Sequence, residues 1–500
     1  MENNWQGKVC DKFGFPSLRE SQVPVIEAIL RGEDVLAVMP TGSGKSLCFQ
    51  SPAAVEARGR SSLVVSPLIA LMREQVDRLA ALGFRASYLN HAVDADERRS
   101  ILDSVRQGDL DFLYSSPEQL KKADLNEAVG ADPARISRLV ADEAHCISTW
   151  GHDFRPDFYR IGEFRRRHSI GQTVATTATA TPQVIADVLS SLGIEDAVQF
   201  VHQPIRENLS YSVIDLDDPE TSGSKISHVT SLIDRFAPGE EDAVIVYCTS
   251  RIETDRLSQS LKRKGYKADL YHGNMPDNLR QEKEANFTSG KCKIMVATNA
   301  FGMGIDKSNV RLIVHTGVPE SAMAYVQETG RAGRDGQEAH CVLLKSSDQF
   351  DSRIQRIEKT VPSFQMLRTV FDKLKEMKKN TSLGEPFKFN IEQLYMRFMC
   401  SNVKGSAPNS SRAYDEECRR TKINACLHML QSFGLIVRDA SCMTINADLI
   451  EGTEIFESLE AIIKRRLDVK KALVEQLMRY TESGEQETLM ELLRTDLDIE

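Results

Sequence analysis

The sequence predicts two tandem α/β domains, each built on a parallel sheet, followed by a mostly helical module with a winged helix. Three observations carry that expectation. Short apolar runs alternate with amphipathic stretches from about residue 15 to 345. The runs fall into two sets with a polar stretch between them. After about residue 350 the alternation gives way to helices with few strands. Runs this short and this apolar suit strands buried on both faces, and the helices between them suit the crossovers that cover such a sheet.

The first set of runs is 35–39, 62–66, 112–114 and 138–141; the second is 243–247, 293–297, 311–314 and 340–344. Residues 215–224 combine acids with Pro219, Gly223 and serines, which reads as an exposed loop near a boundary. The boundary itself is set near Pro204, Ile205 and Arg206, so domains are expected over 1–205, 206–350 and 351–500. In the third, Phe364–Met377 is amphipathic, 423–433 is a helix stopped by Gly434, 437–445 holds the two strands of a wing, and 456–480 is a long amphipathic helix.

Composition narrows the class. The 500 residues are 41% hydrophobic and 27% charged, which excludes a disordered, collagen-like or disulfide-stapled chain. Lys and Arg number 63 against 72 Asp and Glu, a net charge of -9, so a nucleic acid would be held by local basic surfaces and not by the overall field. No stretch approaches the ~18 apolar residues of a membrane span. The polar start, Met1 to Gln6, lacks the apolar core of a signal peptide. A soluble intracellular protein with no membrane partner is expected. Its ten cysteines include no Cys-x-x-Cys pair, so reduced thiols are expected.

Three motifs carry chemistry. Thr41, Gly42, Ser43, Gly44, Lys45 and Ser46 follow the first apolar run. Such glycines let backbone N–H groups curl around phosphate at a helix start, with Lys45 on the outer phosphates and Ser46 on Mg²⁺. Met39 stands where the usual P-loop has its first glycine. Asp142 and Glu143 close the 138–141 run; Asp142 suits the Mg²⁺ shell and Glu143 the polarisation of a water. Alone, an acidic pair at a strand end is more often a solvated loop. Arg331 and Arg334, three apart, share one face of a helical turn, and the guanidinium fork suits transition-state charge. A surface salt-bridge pair is the alternative.

With these residues in view, the chain resembles a superfamily 2 helicase, and specifically a RecQ-type DNA helicase of the DEAH-box variant, over about residues 8 to 345. The resemblance implies two RecA-like domains with ATP and Mg²⁺ between them, and Arg334 as the finger supported by Arg331. Residues 13–22 resemble the family's adenine-recognition motif, which implies that Phe15 stacks on the base and that Arg19 and Gln22 contact it. Residues 66–72 resemble a motif that touches the DNA backbone, and 177–181 one that couples hydrolysis to domain movement. Residues 145–156 resemble the family's aromatic-rich loop, so Trp150, His152, Phe154 and Arg155 are expected on unpaired DNA. Thr249 and Thr298 lie in segments that resemble second-domain motifs holding DNA phosphates.

The last third departs from the family. Cys400, Cys418, Cys426 and Cys442 have the wrong spacing for its four-cysteine zinc module, so no zinc is expected. The resemblance implies 3′→5′ movement on single-stranded DNA and unwinding of duplex DNA, in repair, recombination or replication. A monomer is expected, with single-strand-binding or repair proteins as partners, in the cytoplasm of a prokaryote or the nucleus of a eukaryote. Two other readings stand beside it: an RNA helicase or RNP remodeller, and a DNA-binding ATPase that does not unwind.

Overall fold

The computed structural model describes residues 5–56, 59–67, 69–148, 156–178, 180–202, 205–221, 223–237, 239–302, 307–378, 385–399, 419–420, 422–427, 429–431, 435–438, 442–445 and 453–494. The chain divides into two compact units, one comprising Met1–Ser347 and Gln476–Asp498, the other built on Asp348–Glu475.

The first unit holds two parallel sheets. In the first lobe β1 (Val35–Val38), β2 (Ser61–Val65), β3 (Ala86–Leu89), β4 (Phe112–Ser115), β5 (Ile136–Asp142), β6 (Thr173–Thr177) and β7 (Val198–Val201) lie in the order 3-4-2-5-6-1-7. Alternate residues enter opposite cores: Val35, Ala37 and Val64 join one, Leu36, Val38 and Leu63 the other. Both faces are therefore covered, which explains the continuous apolar runs. The second lobe repeats the plan with β8 (Leu209–Asp215), β9 (Ala243–Tyr247), β10 (Ala268–Tyr271), β11 (Ile294–Ala297), β12 (Val310–His315) and β13 (Ala339–Lys345) in the order 10-11-9-12-13-8. Helices Lys225–Phe236 and Arg251–Arg263 cover one face through Val229, Ile233, Leu257 and Leu261. These are tandem RecA-like folds.

Register decides what meets at the sheet's edge. β6 lies between β5 and β1, with Asp142 beside Thr176 and Val38 beside Thr177. Two threonines thus stand between the loop after β1 and the acids after β5. Residues 476–494 also belong to this unit. Tyr480 is fully buried with its ring 5.8 Å from that of Tyr325, and helix Gln486–Arg494 packs on helix Ala322–Thr329 and on β8.

The second unit has a three-stranded antiparallel sheet, β14 (Phe387–Lys388), β15 (Ile436–Arg438) and β16 (Cys442–Ile445), in the order 14-16-15. Its core joins Leu367, Val370 and Phe371 of helix Phe364–Met377 to Leu394, Ile436 and Ile445. Cys426 is buried there, while Cys400 and Cys418 lie outside the described residues. Among the described residues no helix is long and apolar enough to cross a membrane.

Candidate active site

The loop after β1 turns through Gly42 at φ 81° and Gly44 at φ 85°, then enters helix Lys45–Gln50. Only glycine takes those angles without strain. The Lys45 ammonium donates to the Met39 carbonyl at 3.1 Å. Desolvation lowers its pKa from the usual value, against the opposing pull of Glu143 and Asp142. Arg19 and Gln22 are tied to this loop. The Gln22 amide donates to the Ser43 carbonyl at 3.0 Å and the Gly44 carbonyl at 3.3 Å, and its oxygen accepts from the Arg19 N–H at 3.0 Å. The Arg19 guanidinium donates to the Gly42 carbonyl at 2.5 Å. Phe15 is partly exposed.

The acids sit one strand away. Asp142 is buried and accepts from the Thr176 hydroxyl at 2.9 Å. Burial raises its pKa, and the neighbouring Glu143 carboxylate adds to the rise. Glu143 itself lies at φ 52°, a left-handed backbone that costs a non-glycine residue about 1–2 kcal/mol. The buried His145 brings its Nδ1 within 2.9 Å of Thr177 Oγ1 and 3.3 Å of Glu143 Oε2. One imidazole therefore links the second acid to the end of β6.

The second lobe brings the arginine turn to the same loop. A Cβ placed on Gly42 would lie 3.1 Å from Arg334 Cγ, and one on Gly330 would lie 3.0 Å from Thr41 Cβ. Arg334 also lowers the Lys45 pKa, so its charge is felt at the loop. Arg331 behaves differently: it is buried and donates to the Gly302 carbonyl. The pair divides, with Arg334 toward the P-loop and Arg331 toward its own lobe.

These residues fit a nucleotide triphosphate with its metal. The loop is packed so closely that a Cβ on Gly44 would fall 2.3 Å from Gln22 Nε2. The buried Ser43 hydroxyl has no hydrogen-bond partner among the described residues, and Lys45 meets only carbonyls by hydrogen bond. Ser46, half-buried in the first turn of the helix, and Asp142 carry oxygen atoms of the kind that Mg²⁺ favours.

The expected DNA contacts are only partly in view. Trp150, His152, Phe154 and Arg155 lie outside the described residues. Thr249 is exposed, and its hydroxyl and N–H both donate to Glu253 Oε2, at 2.9 and 3.1 Å. Thr298 is half-buried and its N–H donates to the Tyr271 carbonyl at 3.1 Å. Sequence reasoning passed over His145, Thr176, Arg206 and Asn208. The first lay inside a recognised segment and the second in a strand too polar to notice. Arg206 stood in a stretch read only as a boundary.

The DEAD/DEAH box helicase family matches residues 19–188, and the helicase conserved C-terminal domain matches residues 224–336. A probable ATP-dependent DNA helicase RecS from Bacillus subtilis is 38% identical over 349 residues, which is 69% of this chain and 68% of that protein. The chain belongs to the RecQ/RecS-type ATP-dependent DNA helicases. Other members of this family are similar to it at the same level: RecQ of Pasteurella multocida at 38% over 66% of the chain, and helicase Q-like 2 of Arabidopsis thaliana at 38% over 67%. The chain spans 50% and 48% of those two proteins. Among solved structures, Mycobacterium smegmatis helicase Lhr bound to ssDNA and AMP-PNP aligns over 89% of the chain and 61% of its own, with TM-score 0.56 and 19% identity. S. cerevisiae Dbp5 bound to RNA and ADP BeF3 aligns over 70% of the chain and 90% of its own, with TM-score 0.54 and 15% identity. Those two share the fold.

Proposed function

We propose that this chain hydrolyses ATP to move 3′→5′ along single-stranded DNA and to unwind duplex DNA, in repair, recombination or replication. The observation that carries the reading is the meeting of Lys45, Asp142 and Glu143 in one lobe with Arg334 from the other. Lys45 neutralises the outer phosphates, and Glu143 orients and polarises the attacking water. Ser46 and Asp142 would hold Mg²⁺, which would supply further charge neutralisation at the phosphates. Arg334 stabilises charge that develops in the transition state, with Arg331 supporting its turn. Phe15 stacks on the adenine and Arg19 and Gln22 contact it, while Thr41, Gly42, Ser43 and Gly44 cradle phosphate. Opening and closing of the lobes moves the strand held by Thr249, Thr298 and the 150–155 loop.

The motor lobes are read as 1–205 and 206–350, with 351–500 as the third module, of which 476–494 pack into the unit of the motor lobes. Its antiparallel sheet and helices support a winged-helix reading. The chain is read as a monomer, and the spacing of its cysteines does not match a four-cysteine zinc module.

The test is steady-state ATPase activity without nucleic acid, with single-stranded DNA and with single-stranded RNA, for the wild type, Glu143→Gln and Trp150→Ala. Strong stimulation by DNA, abolished in Glu143→Gln and weakened in Trp150→Ala, is expected; strand displacement on tailed duplexes then reads polarity. Stimulation by RNA alone would make the chain an RNA remodeller. ATP binding without stimulation by either would refute the motor reading.

A further inference from the structure

Arg206 lies at the junction of the lobes, just before β8. Its guanidinium donates to the carbonyls of Gly330 and Gly333, each at 2.8 Å, and to that of Ala332. These are the carbonyls of the turn that bears Arg331 and Arg334. Asn208, two residues on, donates from Nδ2 to Gly333 at 2.8 Å and to Gln337 at 2.7 Å. Two junction side chains thus gather four carbonyls on both sides of Arg334. The fit is close: a Cβ on Gly333, at φ +55°, would lie 2.5 Å from Asn208 Nδ2 and 2.7 Å from the Gln337 carbonyl oxygen.

Arg206 is an unusual choice of clamp. Its hydrogen-bond partners among the described residues are all neutral carbonyls, and burial lowers its pKa from the ordinary value. The positive charge of Arg19 adds to that lowering, and Arg19 itself holds the Gly42 carbonyl of the P-loop. A buried cation held this way costs stability. Arginine's planar fork does what a smaller group cannot: it bridges several diverging carbonyls at once and locks their spacing.

We propose that Arg206, assisted by Asn208, is a positioning residue that sets the arginine turn and so couples the junction between the lobes to the placement of Arg334 in the ATPase site. This rests on the reading of Arg334 as the group that completes that site. Any rotation of the lobes passes through the junction, and the clamp delivers it to the turn. A shift of about 1 Å in such a group costs roughly a hundredfold in rate.

The test is a double-mutant cycle on the full chain, with ATPase measured at saturating single-stranded DNA for Arg206→Gln, Arg334→Ala and the pair. Arg206→Gln is expected to lower kcat at least ~tenfold while the KM for ATP changes less than ~threefold. In the Arg334→Ala background it is expected to add nothing, because the group it positions is gone. A clamp that served stability alone would multiply with Arg334→Ala, and that product, or an unchanged kcat in Arg206→Gln, would overturn the proposal. If Arg206→Gln does not fold, Arg206→Lys runs the same cycle: it keeps the charge, loses the fork and is expected to stay slow. Full activity in Arg334→Ala by itself would sink the reading of the site, and the proposal with it.

Discussion

Replacing Gly44 with alanine tests the packing of the phosphate loop at a single atom. Gly44 has φ +85°, where an L side chain costs about 1–2 kcal/mol. The added Cβ would fall 2.3 Å from Gln22 Nε2, closer than any real contact, so the amide must leave. Its departure breaks the bonds to the Ser43 and Gly44 carbonyls at 3.0 and 3.3 Å, worth about 0.5–1.5 kcal/mol each. The loop conformation should therefore lose about 2–5 kcal/mol in all. If the anion-binding loop is the competent state, apparent ATP affinity falls by at least ~tenfold as that state is depopulated. The assay is urea unfolding beside an ATP titration. Gly290→Ala is the control, because Gly290 has φ +80° but nothing within 4 Å, so it carries strain without collision. The second control is Gly44→Ala in a Gln22→Ala background, where the collision is already relieved. The reasoning fails if Gly44→Ala costs no more than Gly290→Ala, or costs the same with and without Gln22.

Three further outcomes are expected. His145→Ala removes the ring between Glu143 and Thr177, and should lower kcat roughly tenfold with ATP affinity kept, read by steady-state kinetics and equilibrium binding. Glu56→Ala leaves the Arg138 guanidinium, 3% exposed, with only Gln172 and Ser62 to bond among the described residues, and should destabilise the first lobe by about 3 kcal/mol in urea. His168 and His340 have pKa values lowered mainly by burial, with Arg167 adding to the first; in the second Glu338 opposes the shift and Arg235 adds to it. A lowered value in the fold means that their contribution is present above the unfolded value of about 6.5 and is lost as the pH falls through the folded one. The urea midpoint should thus drop between pH 7.5 and 5.5, and a His168→Asn, His340→Asn double variant should show a smaller drop; an equal drop in both proteins would count against this assignment.

The central strands were plain in the sequence because both faces are buried. The run 243–247 coincides with β9, and 138–141 lies inside β5. The unread strands of the two parallel sheets are of two kinds. β3, β7, β8 and β10 stand at or near sheet edges, and exposed or half-covered positions break their apolar pattern. β6 is central and buried, yet its Thr-Val-Ala-Thr-Thr sequence looks polar, because its hydroxyls serve Asp142 and His145 rather than solvent. The P-loop and the acids were legible for a different reason: their chemistry is local in sequence. The clamp on the arginine turn was not, since Arg206 and Gly333 are 127 positions apart and meet only through the order of β8 and β13. The hairpin of the second unit was visible as two strands, whereas the sheet's third strand, Phe387–Lys388, is too short to leave a pattern.

The seat that residues 476–494 take against helix Ala322–Thr329 has a consequence for how the protein is made. A ribosome finishes β13 long before it reaches Gln476, and at about 5–20 residues per second the interval is on the order of ten seconds. During that time the helix leading to Arg331 and Arg334 waits without the cover of Tyr480 and of helix Gln486–Arg494. Joining such distant segments adds little entropy cost, since each doubling of a loop adds only about 0.6 kcal/mol. Timing therefore follows translation: a nascent chain that already has its P-loop still lacks the last buttress of its arginine turn. A protease that removes helix Gln486–Arg494 would return the motor to the same unfinished state.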